Sequence, residues 1–190
     1  MKAVASPMVT PVDADVLAKI AEGELDALGI LFDRYEHVVK RFISRLGVPT
    51  SDVDDLVQLT FLDLPGAASR FDDRWPFKGW LLGLASIVVR RYRRSAKRRA
   101  ARLVAWASEP WRRTSPGPDD DFERQEAAQR ALSALQRLSH KKREVFVMLV
   151  FEGLSGADAA RALDVPIATI WTRMHHARRD LRHLLGGRTP

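Results

Sequence analysis

Residues 152–185 read EGLSGADAARALDVPIATIWTRMHHARRDLRHLL, and the spacing within this stretch decides the fold class. Ser155 stands where a hydroxyl caps a helix, and Asp158 three residues on completes a capping box, so a short helix is expected over Gly156–Leu163. Leu163-Asp164-Val165-Pro166 is a tight break, and a longer helix is expected over Ile167–Leu185. A short helix, a turn of three or four residues and a second amphipathic helix make a helix-turn-helix. Ile170, Met174, Ala177, Leu181 and Leu184 form the buried stripe of the second helix. Its other faces present Thr169, Trp171, Thr172, Arg173, His175, His176, Arg178 and Arg179. The major groove of DNA admits one such helix, whose first turns reach base edges while arginines farther along neutralise phosphates. An αα-hairpin with a solvated basic face is the plainer reading of the same segment.

Outward from this stretch the pattern stays helical, so the chain is expected to be all-α. Leu28, Leu31, Phe32, Tyr35, Val38, Val39, Phe42, Ile43 and Leu46 recur at three- and four-residue steps, until Gly47 and Pro49 end the stripe. A second helix is expected to be capped by Ser51 with Asp54, burying Val53, Leu56, Val57, Thr60, Phe61 and Leu64 until Pro65-Gly66 interrupts it. A third, long helix starts near Phe77 after Pro76 and buries Phe77, Trp80, Leu81, Leu84, Ala85, Val88 and Tyr92. Prolines, Gly117 and the acids Asp119–Asp121 mark a flexible linker, after which periodicity resumes with Ala128, Ala131, Leu132, Leu135 and Leu138. The expected organisation is an N-terminal extension over 1–24, carrying a short helix around Val16, Leu17 and Ile20, then a helical bundle over 25–105. A linker over 106–124 and a helix-turn-helix domain over 125–187 complete it.

The chain has 190 residues, of which 46% are hydrophobic and 29% charged, so it is neither disordered nor membrane-like in composition. Its longest uncharged run, Gly79–Val89, is too short for a bilayer, and residues 1–14 do not read as a secretory signal. With no cysteine there is no thiolate chemistry or disulfide framework, and a reducing cytoplasm is the natural home. The net charge of +7 conceals alternation. Residues 1–68 hold 6 Lys and Arg against 11 Asp and Glu, and residues 69–113 hold 13 against 3. Residues 114–126 then hold 1 against 5, and residues 127–190 hold 11 against 5. Two basic blocks, each preceded by an acidic one, point to two polyanion-facing surfaces.

Seven of the ten residues Arg90–Arg99 are Lys or Arg. At 100° per residue, Arg90, Arg93, Arg94 and Lys97 share a face with Gly79, Gly83 and Ser86, small at one end and cationic at the other, which lets a phosphate backbone approach. Just before it, Phe71, Trp75, Phe77 and Trp80 lie among Arg70, Arg74 and Lys78. Aromatics interleaved with cations suit unstacked bases of single-stranded nucleic acid. Periodicity assigns Phe77 and Trp80 to the core and leaves Phe71 and Trp75 as the open pair. On the second helix, Asp55, Gln58, Leu59 and Leu62 lie opposite the core stripe, an arrangement that suits a partner surface.

DDLVQLTFL at Asp54–Leu62, WPFKGWLLGL at Trp75–Leu84 with its Arg-rich continuation, and the 152–185 stretch together resemble a bacterial sigma factor. The resemblance is to the extracytoplasmic-function (ECF) group of the sigma-70 family, and it covers roughly residues 25–100 and 125–185. It implies that Asp54, Asp55, Gln58, Leu59 and Leu62 bind core RNA polymerase. It implies further that Arg70, Phe71, Arg74, Trp75, Lys78, Arg90, Arg93, Arg94 and Lys97 hold the promoter −10 element, with a base extruded from the stack. Thr169, Trp171, Thr172, Arg173, His175, His176, Arg178 and Arg179 would read the −35 element as duplex. A cognate anti-sigma factor is the further partner implied. This chain departs from the family pattern at Leu59, at Pro65-Gly66, at Asp164 in place of a turn glycine, and at Trp171 and His176, positions that are usually basic.

No catalytic residue, metal, cofactor, small-molecule substrate or membrane insertion is expected. A metal-dependent nuclease would have to use Asp52, Asp54, Asp55, Asp72 and Asp73, yet Asp54 and Asp55 point to different sides of one helix. His175-His176 with Asp180 diverges in the same way. The other alternative is a stand-alone helix-turn-helix regulator, against which the Arg-rich helix and its aromatic loop speak.

Overall fold

The computed structural model describes the backbone of residues 11–104 and 122–186, with side chains at 13–96 and 129–186. Among the described residues there is no strand, as expected of an all-α chain. Helix α1 (Pro11–Ala21) buries Val16, Leu17 and Ile20 against α2 (Ala27–Arg45) and α4 (Leu64–Ala68), so the extension expected over 1–24 is from Pro11 onward part of the bundle. Buried Asp13 fastens it, accepting from the Arg34 guanidinium and, at 2.6 Å, from the Tyr35 hydroxyl.

The long stripe of α2 packs as its spacing requires, with Leu31, Val39, Phe42 and Ile43 fully covered. Gly47 then takes φ +79°, the left-handed conformation that ends a helix at little cost only for glycine. Helix α3 (Thr50–Leu62) starts two residues earlier than Ser51 capping would allow. Pro49, extended at φ −53° and ψ 139°, occupies the cap position, and its carbonyl accepts from Asp52 N–H at 2.9 Å. Ser51 therefore lies inside the first turn and bonds the Asp52 carboxylate instead. At the other end Pro65 opens the separate turn α4, which is the interruption expected there.

Helix α5 (Phe77–Val104) begins where expected, and its N-terminal half fills the bundle with Phe77, Trp80, Leu81, Leu82 and Ala85. Helix α6 starts the C-terminal half (Phe122–Arg137), three residues before the domain boundary expected from sequence. Residues 105–121, most of the expected linker, lie outside the described residues. Helix α7 (His140–Phe146) passes into one wider, π-helical turn over Val147–Phe151, closed by Glu152 N–H donating to the Val147 carbonyl. Helices α8 (Gly156–Leu163) and α9 (Ile167–Leu184) follow.

The two halves pack on one another through α5 and α8. The approach is closest at Gly83, where a Cβ would stand 2.8 Å from the backbone carbonyl oxygen of Ala162. Only a residue without a side chain permits this spacing. One continuous apolar cluster then runs from Leu31 and Phe42 through Leu81 to Met148, Leu163 and Ile170.

Candidate nucleic-acid interface

The helix-turn-helix forms from the local signals in its sequence. Asp158 N–H donates to the Ser155 hydroxyl at 3.0 Å, and that hydroxyl meets the Asp158 carboxylate at 2.6 Å. Asp164 ends α8 at φ 52° and ψ 55°, the left-handed conformation, which Asp tolerates better than most residues. Ile170, Met174 and Ala177 bury the inner face of α9. Trp171, Thr172, His175, Arg178 and Arg179 stand exposed, whereas Thr169, Arg173 and His176 are partly covered. Lys142 of α7 holds Asp180 at 2.5 Å, fixing α9 against α7 and keeping that carboxyl below the usual carboxylate range.

The loop before α5 departs from its expectation at two aromatics. Phe71 is not open, because its ring closes an edge-to-face cluster with Phe77 at 5.8 Å and Trp80 at 5.1 Å. Trp75 is also half-buried, since its indole lies over Gly79, 3.1 Å from where a Cβ would be. Arg70 and Arg74 are exposed, and Arg74 grips Asp72 through two 2.8 Å bonds that hold the carboxyl down to about 2.

The cations of α5 are less free than the sequence suggests. Lys78 lies 3.1 Å from the Glu152 carboxylate and donates to the Glu152 carbonyl at 2.8 Å. Arg90 is 3.8 Å from Glu144, and Arg93 donates to the Leu46 carbonyl. Arg94 is exposed, and the side chain of Lys97 lies outside the described ones. Gly79 and Gly83, expected to admit a phosphate backbone, face Leu154 and Ala162 of the C-terminal half.

The sequence reading missed the residues that make these contacts. Glu152 is buried and pairs with both Lys78 and, at 3.0 Å, Arg45. Buried Arg143 gives its guanidinium to the carbonyls of Leu135, Gln136, Leu138 and Leu46. Burial pushes the Glu144 carboxyl up, against the opposing pull of Arg90. His140 beside it is pushed down to about 4 by burial and by Arg93, Arg143 and Arg90. The available signal was position at the edges of an apolar run, with Arg143-Glu144 directly before Val145–Phe151 and Glu152 directly after it.

On α3 the face opposite the core is open. Leu59 is 48% and Leu62 66% exposed, next to exposed Asp55 and Gln58, while Asp54 pairs with Lys40 at 2.7 Å. Among the described residues no group of three or more His, Asp or Glu side chains could hold a metal ion. Among the same residues no helix is long and apolar enough to cross a membrane.

Comparison with known proteins matches both halves. Residues 31–99 match the family described as Sigma-70 region 2, and residues 128–181 the family described as Sigma-70, region 4. The RNA polymerase sigma factor NccH of Alcaligenes xylosoxydans xylosoxydans is 31% identical over 176 residues, covering 92% of this chain and 95% of NccH. The ECF RNA polymerase sigma-E factor of Escherichia coli (strain K12) is 27% identical over 173 residues, 87% of this chain and 90% of that protein. Among solved structures, CnrH in complex with the cytosolic domain of CnrY superposes with a TM-score of 0.66 at 28% identity. That match covers 94% of this chain and 99% of CnrH. Paired matches of this kind do not favour a stand-alone helix-turn-helix regulator.

Proposed function

This chain belongs to the extracytoplasmic-function group of the sigma-70 family of RNA polymerase sigma factors, and we propose that it divides a promoter and a polymerase among three of its surfaces. The outer face of α3, at Asp54, Asp55, Gln58, Leu59 and Leu62, docks on core RNA polymerase. The loop Arg70–Lys78 and the cationic face of α5 hold the opened −10 element. The exposed side of α9 reads the −35 element as duplex, with Arg178 and Arg179 on phosphates. Residues 25–105 and 125–187 act as the two promoter-binding domains. The chain performs no chemistry of its own, the polymerase forming the phosphodiester bonds, and it works in the cytoplasm.

The observation that carries the docking surface is the pair Leu59 and Leu62. Two large apolar side chains are held in solvent on a helix whose other face is fully covered. Burying both against a partner is worth about 3 kcal/mol or more. Charge reversal at Asp55 combined with Leu59→Ala is expected to weaken binding to core polymerase at least tenfold while the C-terminal half stays folded. Unchanged polymerase affinity overturns the assignment.

Promoter engagement goes with separation of the halves. Lys78 and Arg93 are withheld from DNA while Glu152 and the Leu46 carbonyl hold them, whereas Arg90, 3.8 Å from Glu144, stays exposed. A partner that keeps the halves together would silence the factor, and an anti-sigma factor is the partner we assign. The similar protein CnrH was solved in complex with a second protein, the cytosolic domain of CnrY.

A further inference from the structure

Gly156, the first residue of α8, is buried, and its φ is not positive, so no backbone conformation requires a glycine there. Glycine in a helical conformation costs up to about 1 kcal/mol relative to alanine. The reason for it is spatial. A Cβ at Gly156 would stand 2.6 Å from Cζ2, 3.1 Å from Cε2 and 3.2 Å from Cη2 of Trp171. The indole thus rests on the glycine Cα, held by the first turn of α8, and still exposes 54% of its surface.

The neighbours of Trp171 extend this character. Ile167, one turn earlier on the same face, is 49% exposed, and Ala168 and Thr172 are exposed beside them. The Thr172 hydroxyl donates to the Ala168 carbonyl at 2.9 Å, so its proton is committed within its own helix. No charged residue occurs from Val165 to Thr172. Farther along the helix, Arg178, Arg179 and Arg182 are exposed. The free side of α9 is therefore uncharged from Ile167 to Thr172, with Ile167 and Trp171 its largest exposed groups, and cationic from Arg173 onward. That gradient fits a polyanion that carries apolar groups between its charges.

From this geometry we infer that Trp171, seated on Gly156 and flanked by Ile167, reads the C5-methyl groups of thymine, so that α9 selects A·T pairs at the bases beneath it. The inference rests on the assignment of α9 to the −35 duplex. Thymine methyls are the apolar groups of the major groove, and apolar side chains are what discriminates them. Guanine, in contrast, is read through paired donors from Arg or Lys, and the first six residues of α9, Ile167–Thr172, contain neither. A protein partner covering Ile167 and Trp171 is the competing occupant. The cations on the same helix favour DNA.

The test uses the full chain assembled with core RNA polymerase. Promoters are selected from a pool randomised at the −35 element. One selected promoter is then remade with deoxyuridine replacing each −35 thymine in turn, which deletes the methyl and keeps the pairing. At one or two positions the loss of a methyl is expected to weaken binding about fourfold, the equivalent of one buried carbon. That loss should vanish in Trp171→Ala. It should also shrink in Gly156→Ala, a better helix former whose new methyl displaces the indole without threatening the fold. Arg178→Ala should weaken binding and keep the deoxyuridine effect. The proposal is overturned if deoxyuridine costs as much in Trp171→Ala as in the parent, or if Trp171→Ala weakens only the binding of a protein partner. Selection that returns no −35 preference at all overturns the assignment of α9 to the duplex, and this proposal with it.

Discussion

The guanidinium of Arg143 in α7 donates to the carbonyl oxygen of Leu46 at 2.6 Å, across 97 residues of sequence. Its other bonds go to Leu135, Gln136 and Leu138, carbonyls at the end of α6, of which Leu135 also accepts from the Leu138 N–H at 3.2 Å. One buried side chain thus caps a helix of its own half and reaches the end of α2 in the other. Glu144 and Glu152 work in the same direction, each facing cations of the N-terminal half. The halves are joined by apolar contact along α5 and α8 and by buried charge at its margins.

Arg143→Met keeps much of the volume and removes all four donated bonds. Stability is expected to fall by about 2–4 kcal/mol, since the Gln136 and Leu138 carbonyls lose this donor, while Leu46 and Leu135 keep Arg93 and the Leu138 N–H. Arg143→Lys, which reaches fewer of them, should fall in between. Urea denaturation followed by circular dichroism checks both values.

Glu152→Gln keeps the shape of the side chain and removes the charge between Arg45 and Lys78. The contact between the halves should weaken by about 1–3 kcal/mol. Looser packing of the halves should expose Lys78 more often and raise the affinity of the free protein for a single-stranded oligonucleotide severalfold at low salt. Fluorescence anisotropy, with small-angle scattering for the expected increase in size, measures the two effects.

His140 gives the fold an acid limit. Its folded-state pKa of about 4 lies below the ordinary value of 6.5, because burial and the nearby Arg93, Arg143 and Arg90 oppose its charge. The unfolded chain therefore takes up a proton first, and stability is lost as the pH falls from about 6.5 towards 4, by up to about 3 kcal/mol. Glu144, pushed up by burial, acts with the opposite sign and recovers part of that loss as it gains its proton. His140→Asn should flatten the decline between pH 6.5 and 4.5, read from urea midpoints across that range.

Much of the fold was legible in the sequence because its signals are local. Ser155 with Asp158, the left-handed Asp164, Gly47 and Pro65 each act within four residues of themselves. The stripe from Leu28 to Leu46 needed only periodicity. Ser51 was misassigned because Pro49, two residues earlier, claims the cap position. Phe71 looked open because it lies off the helix, yet its ring closes on Phe77 and Trp80 through the fold of the loop. The buried charges are the larger gap. Glu152 and Lys78 are 74 residues apart, and no spacing rule brings them together. For the same reason Gly83 read as room for a phosphate backbone, when its nearest neighbour here is Ala162.

That this chain gives core RNA polymerase a promoter is checked by run-off transcription, with purified core polymerase, on a pool of templates randomised upstream of the start site. Transcripts are expected only when the chain is added. They should come from templates that share two spaced elements, and Arg178→Ala should reduce them. No initiation above that of core polymerase alone, together with tight binding of a palindromic duplex by the free chain, would contradict it.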